Sequence, residues 1–472
     1  MRYVSTRGGV PALAFDPTFA FDEVLLAGLA EDGGLFVPQT WPRLSVAELE
    51  ALAGRPYAHV AWRVLRPFVA TSLADDVLAR ICAEAYAGFD HPAVAPLKQL
   101  GPSDWLLELF HGPTLAFKDY ALQVVGRLFD YVLRARRRHA AVIGATSGDT
   151  GSAAIEACRD RESLDIFILH PRGRVSEVQR RQMTTVTSAN VHNLAIEGNF
   201  DDCQALVKAM FADRRLRQDL NLVAVNSINW ARIALQIVYY VYAALALGAP
   251  RRRVAFAVPT GNFGNVYAAY AARKIGLPVA WLAIGTNRND ILTRLIETGR
   301  METREVEPSL SPSMDIQVSS NFERLLYDLC GRDGERVAAL MENFRSRGAL
   351  ALGAGRHTRL KRLFDAARAD DRATLETIAR VHRETGEIVD PHTAVGLAAA
   401  RACRRDPNVA MVALACAHPA KFPDAIEKAI GLRPALPARL ADLYRRPERM
   451  TTLPNDFAVL AEFVRAHAQV AP

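Results

Sequence analysis

From about position 140 the chain repeats one phrase: a short run of residues apolar on both faces, a loop of Gly, Ser, Asn and Thr, then an Ala-rich stretch with helical spacing. Strands apolar on both faces must be covered on both sides by helices. The alternation therefore predicts an α/β fold with mostly parallel sheets. Strands are expected at 140–145, 165–169, 191–196, 222–225, 254–258, 279–284 and 409–416. In open sheets of this kind ligands sit beyond the carboxyl ends of the strands, so function is to be sought in the loops that follow them.

At 472 residues the chain is longer than one hydrophobic core supports. Residues 1–100, with helical segments, Pro-containing joints and the turn at Gly33-Gly34-Leu35-Phe36-Val37-Pro38, read as an N-terminal domain. Two α/β domains are expected at 101–220 and 221–472, the second interrupted at about 287–353 by an insertion carrying a Pro/Ser-rich loop at 308–313. The formal charge of +7 comes from scattered Arg and Lys, and the densest clusters, at 134–138 and 251–253, are too short for a nucleic-acid surface. Six widely separated cysteines, with no CxxC pair and no histidine at ligand spacing, suggest neither a disulfide framework nor a metal site. The longest apolar stretch, 237–247, is too short to span a bilayer, and the N-terminus lacks the apolar core of a signal peptide. A cytoplasmic protein without membrane contact is the expectation.

Three loops carry candidate chemistry. Thr146-Ser147-Gly148-Asp149-Thr150-Gly151-Ser152 follows a strand and opens a helix expected from about Ala153. Its glycines, N–H groups and hydroxyls suit an anion, although a plain capped turn would look the same. Pro259-Thr260-Gly261-Asn262-Phe263-Gly264-Asn265 is also built for backbone approach to a phosphate. It lacks the Lys-Ser/Thr pair of a P-loop and the GxGxxG spacing of a dinucleotide site, which points to a phosphate without an adenosine half. No phosphate is expected at Gly198-Asn199-Phe200-Asp201, where acidic residues stand in place of the second glycine. The third segment, 111–120, sets Lys118 between an apolar run and a helix. A lysine buried there beside cationic neighbours has a lowered pKa and can form a Schiff base, whereas most lysines at helix starts are simply solvated. An amine nucleophile beside a loop for a dianionic phosphate is what pyridoxal phosphate (PLP) requires.

The motifs HGPTLAFKD, GATSGDTGSAA, PTGNFGN and AHPAKFPDA, in that order, resemble those of the threonine synthases, PLP enzymes of fold type II. The similarity runs nearly end to end: the opening MRYVSTRG resembles that family's start, and 313–324 resembles the insertion of its longer bacterial and fungal branch. The resemblance implies two α/β domains plus an N-terminal extension, with PLP held as an imine on Lys118. It implies that Gly261, Asn262, Phe263, Gly264 and Asn265 bind the cofactor phosphate, and that Ser147, Gly148 and Thr150 contact the substrate's carboxylate or phosphate. Asp149, where many relatives have Asn, would approach the cofactor's 3′-oxygen. Ser227 and Arg232 match a segment that binds the substrate phosphate, for which the planar guanidinium is suited. Cys416 stands where relatives usually carry threonine facing the pyridine nitrogen, and a thiol there would leave that nitrogen unprotonated.

The implied reaction converts O-phospho-L-homoserine and water to L-threonine and phosphate, in a monomer or homodimer. A phospholyase of the same architecture, releasing 2-oxobutyrate, is the nearest rival. A non-catalytic PLP- or nucleotide-binding protein is a more distant one.

Overall fold

The structure is a computed structural model and describes residues 1–8, 18–224 and 226–469. Among these, the strands gather into two principal sheets. The larger has the order Phe364–Arg368, Val279–Thr286, Val254–Pro259, Ala410–Ala415, Asp104–Glu108, Leu97–Gln99, parallel except at the last pairing. The smaller, parallel throughout, runs Thr451–Pro454, Val191–Glu197, Leu164–Pro171, Ala140–Ala145.

Six of the seven expected runs form strands, because both faces of each are covered and only extended chain satisfies the backbone between neighbours. The run 222–225 differs. Val223 touches Val142 in an isolated parallel bridge on the open edge of the smaller sheet, and Val225 lies outside the described residues. Sheet membership also cuts across the division expected at 220/221. Asp104–Glu108 is an inner strand of the sheet built mainly from later residues, and Thr451–Pro454 returns to the edge of the sheet built from the middle segment. Both strands are short and bounded by polar residues, so neither carries the apolar signature of the longer runs.

The N-terminal residues pack as a helical layer, with Tyr3–Ser5 and Phe36–Pro38 paired as a small antiparallel ribbon. Tyr57 of the helix Tyr57–Val69 meets Tyr86 and Tyr120 edge to face, with ring centroids 4.8 and 5.8 Å away. Through such contacts the layer covers the helices Lys118–Ala135 and Trp230–Ala246. The apolar stretch at 237–247 belongs almost wholly to the second of these, a helix buried along nearly all its length. No helix among the described residues is long and apolar enough to cross a membrane.

Two features bring the two sheets' loops together. Gly126, in the middle of Lys118–Ala135, lies so close to the helix Asp149–Cys158 that a Cβ would fall 2.2 Å from the carbonyl oxygen of Ala157. The insertion, tied back by an antiparallel ribbon of Arg300–Glu302 with Ala349–Ala351, lays its Pro/Ser loop over the larger sheet's carboxyl end. Asp315 anchors that loop, accepting from Asn287 Nδ2 at 2.7 Å and Ser309 Oγ at 2.6 Å.

Candidate active site

Three adjacent strands of the larger sheet deliver three of the expected elements at their carboxyl ends. Val254–Pro259 leads into the GNFGN loop, Ala410–Ala415 into Cys416, and Asp104–Glu108 into the segment bearing Lys118. The edge strand Ala140–Ala145 of the smaller sheet leads into the Ser147–Thr150 loop. The chain-distant loops therefore meet because of strand order.

Lys118 opens the helix Lys118–Ala135 and is buried. The residues before it are pinned on both sides. Phe117 N–H donates to the Cys416 carbonyl at 2.8 Å, and His418 N–H donates to the Leu115 carbonyl at 3.0 Å. Thr114 closes the turn by donating from its N–H at 2.8 Å and its hydroxyl at 2.6 Å to Asp119. Burial pushes the Asp119 carboxyl up to about 6. Nζ of Lys118 lies 3.5 Å from Asp149 Oδ2. Burial lowers the Lys118 pKa most; Asp149 opposes this, and Lys421 and Arg232 lower it further.

Asp149 differs in place from the expectation: the helix begins at Asp149 itself rather than near Ala153. The turn closes early because Thr146 Oγ1 accepts both Gly148 and Gly151 N–H at 2.9 Å, leaving Asp149 in the first helical turn, where a carboxylate is favoured. Burial alone would raise its pKa. The ammonium groups of Lys421 and Lys118 and the Gln179 amide outweigh that effect and hold the carboxyl well below its usual range. Ser147 is exposed and Thr150 half-buried at the same helix start.

In the GNFGN loop, Phe263 takes a left-handed conformation, φ 65°, and the helix Gly264–Lys274 follows. The backbone N–H groups of Gly261, Asn262, Phe263, Gly264 and Asn265 have no hydrogen-bond partner among the described residues. The Asn265 side chain, by contrast, is spent within the loop, donating to the Pro259 carbonyl at 2.8 Å. A Cβ on Gly261 would sit 2.8 Å from the Ser313 carbonyl oxygen, so only glycine fits between the loop and the insertion. Ser319 Oγ and the Asn321 amide fix the outer side by donating to the carbonyls of Gly261 and Asn262, at 2.7 and 3.0 Å. A nest of free N–H groups at a helix start is an anion site. At Gly198-Asn199-Phe200-Asp201 the equivalent place is filled from within: the Asp202 carboxylate accepts Asn199 N–H at 2.7 Å.

Arg232 lies in the first turn of Trp230–Ala246, whose cap is Asn229, accepting Ala231 N–H at 3.0 Å. Only 3% of the arginine is exposed, and its Nε and Nη1 have no partner among the described residues. Burial pushes its pKa down to about 10. A cation at the positive end of a helix, buried and unpaired, is an anion site awaiting its ligand. Ser227 lies half-buried in the preceding loop, its carbonyl accepting from Asn321 Nδ2 at 3.2 Å. Cys416 is buried, its N–H donating to Thr393 Oγ1 at 3.1 Å. Burial raises the thiol pKa far above its ordinary value, so it stays protonated.

Sequence reasoning missed Lys421. It is fully buried, 2.7 Å from Asp149 Oδ1 and 2.8 Å from the Thr114 carbonyl. Gln179 Nε2 donates to the same Oδ1 at 2.8 Å. The available signal was a single lysine inside AHPAKFPDA, which in a linear reading is one more helix-start lysine.

A buried amine beside an anion cradle, at the carboxyl ends of parallel strands covered by helices, defines a PLP-dependent enzyme of fold type II. Residues 91–416 match the family model "Pyridoxal-phosphate dependent enzyme", flanked by "Threonine synthase N terminus" at 2–86 and "Threonine synthase, C-terminal" at 393–464. The chain belongs to the threonine synthase family. It is 58% identical to a threonine synthase of Pseudomonas aeruginosa, over 99% of this chain and 98% of that one. A PLP-bound threonine synthase structure from Brucella melitensis superposes with a TM-score of 0.96 at 50% identity, covering all of both chains. The yeast enzyme follows with a TM-score of 0.93 at 37% identity, over 99% and 98% of the two chains. The residues present fit PLP: Lys118 could bind its aldehyde, the free N–H groups of 261–265 its phosphate, and the buried thiol of Cys416 its ring nitrogen.

Proposed function

We propose that the chain converts O-phospho-L-homoserine and water to L-threonine and inorganic phosphate, with PLP carried by Lys118. The observation that carries this reading is Arg232, whose unpartnered, buried guanidinium acts on Lys118 electrostatically and calls for an anion that the substrate must bring. The cofactor supplies an electron sink conjugated to the substrate's amine, which acidifies the protons at Cα and then Cβ.

The rest falls to the chain's own residues. Arg232 and Ser227 would hold the substrate phosphate, Arg232 near enough to Lys118 to act on it electrostatically. Ser147 and Thr150 offer N–H and hydroxyl donors to the substrate's carboxylate at the start of Asp149–Cys158, while Gly148, whose N–H is held by Thr146 Oγ1, shapes the turn between them. Lys118, as a free amine, would serve as the base, since burial disfavours its charged form; it would take the Cα proton, hand it on, and then take the Cβ proton. Phosphate would leave from Cγ and the oxygen of water would add at Cβ; the two abstracted protons would return to Cγ and Cα, and the proton released by the water would pass to the departed phosphate. Asp149, ionised, would face the cofactor's 3′-oxygen. Cys416, protonated, would offer only a weak donor to the ring nitrogen and would leave it uncharged.

We further propose a cytoplasmic monomer or homodimer, in keeping with six free thiols, five of them buried. The test is product analysis with purified PLP-loaded protein and O-phospho-L-homoserine. Phosphate and threonine are expected in equal amounts; phosphate with 2-oxobutyrate and no threonine would make the protein a phospholyase.

A further inference from the structure

Lys421 has no part in the reading above, yet it sits at the centre of the site. It ends the short helical turn Pro419–Lys421, and its side chain has no exposure. Its Nζ bridges Asp149 Oδ1, at 2.7 Å, and the Thr114 carbonyl, at 2.8 Å. That carbonyl also accepts from Gln182 Nε2 at 3.1 Å, and Thr114 is the residue that Asp119 holds in the turn before Lys118. Lys421 thus ties the Lys118 segment to the helix carrying Asp149.

The two carboxylate oxygens are used unequally. Oδ1 accepts from Lys421 and from Gln179, whereas Oδ2 has, among the described residues, only Lys118 Nζ, at 3.5 Å. Two lysine amines and one carboxylate therefore lie together, largely shielded from water. One carboxylate can neutralise one of them, and the nearer amine, anchored also on a carbonyl, takes it.

We propose that Lys421 is a positioning residue for Lys118: by pairing with Asp149 Oδ1 it turns Oδ2 toward Lys118 and takes up the carboxylate's charge, so that Lys118 is the amine free to give up its proton. The proposal rests on the assignment of PLP to Lys118. The charged or titratable groups facing Lys118 are Asp149, Lys421, Arg232 and Cys416, each from a different loop or helix start, and Asp119 faces Lys421. Of these, Lys421 is the one whose removal both deletes a repulsive charge and releases an attractive one.

The experiment follows the absorbance of the Lys118 imine in the PLP-loaded protein as a function of pH, for the wild type, Lys421→Met, Asp149→Asn and the double variant. Lys421→Met should raise the pH at which the imine loses its proton by about one pH unit or more, and Asp149→Asn should lower it similarly. The double variant, with neither charge, should fall between the two and near the wild type. In Lys421→Met, kcat at pH 7 should drop roughly tenfold while KM changes by less than about threefold. Should Lys421→Met not fold, the double variant compared with Asp149→Asn reads the same step in a neutral pair. A folded variant that leaves the imine titration within about 0.3 pH unit of its parent would reduce Lys421 to a structural ion pair and overturn the proposal. Absence of imine absorbance in the wild type would instead overturn the assignment of PLP to Lys118, and the proposal with it.

Discussion

Arg232→Met separates what a buried cation does to the fold from what it does for the substrate. Burial pushes the guanidinium from its ordinary range down to about 10, and among the described residues no carboxylate offsets it. At 1.36 kcal/mol per pH unit this is a burden of roughly 3 kcal/mol on the ligand-free protein. The sign is that of a depressed base: well below about pH 10 the folded and unfolded chains both carry the proton, so the burden is constant from pH 5 to 9, and it shrinks only as the pH rises through the folded value. Methionine retains most of the aliphatic stem and removes the charge. With an unfolding entropy of about 2.1 cal/mol/K per residue, 472 residues give on the order of 1 kcal/mol/K, so the free protein should melt about 3 °C higher. Losing charge-assisted hydrogen bonds to a phosphate should cost about 3 kcal/mol of transition-state binding, which is about a hundredfold in kcat/KM. Thermal melts without ligand, phosphate release with O-phospho-L-homoserine, and PLP titration are the three assays. A melting point several degrees lower would mean that the guanidinium is a structural partner, and equal losses of cofactor and substrate affinity would place it on PLP; either result refutes the reasoning.

Lys118→Ala should lower threonine release by at least about a thousandfold and abolish imine absorbance, while cofactor fluorescence still reports weak binding through 261–265; turnover at the wild-type level would remove Lys118 from the mechanism. Gly261→Ala forces a methyl against the Ser313 carbonyl, 2.8 Å away, and should cost about 1–3 kcal/mol, read as roughly a tenfold or greater loss of PLP affinity by titration. Asp149 titrates far below its ordinary 3.8, so its ion pairs contribute stability above that value and lose it only as the pH falls further. The stability difference between wild type and Asp149→Asn, on the order of 3–5 kcal/mol, should accordingly stay flat from pH 8 to about 5 when followed by thermal melts; a decline between pH 7 and 5 would show that the carboxyl is not held ionised.

The buried strands were legible because their signal is local: six or more apolar residues with a turn at each end, as at Val254–Pro259 and Val279–Thr286, leave few alternatives. Asp104–Glu108 was not, since five residues with an acid at each end read equally well as a loop, and it becomes an inner strand only because Ala410–Ala415 and Leu97–Gln99 flank it. The start of Asp149–Cys158 was misjudged because the Thr146 hydroxyl, not the residue types at 149–152, closes the turn. Among the candidate residues, Gly261 could be singled out from its own loop, whereas Lys118 drew its case from the distant phosphate loop. Lys421 had neither kind of support.

The amino-acid order alone determined the α/β class, the loops where an anion can be held, the lysine fit for a Schiff base and the family that such motifs resemble. The strands and loops depend on residues close to one another in the chain, and the family resemblance on the order of such motifs along it. The tertiary structure alone decided which charges meet: that Asp149 is shared between Lys118 and Lys421, 303 residues apart in the chain, and that Arg232 is buried without a partner. Charge interaction in a closed site depends on distances of a few ångströms and on the exclusion of water. Strand order and helix packing set those distances, and a linear sequence does not display them.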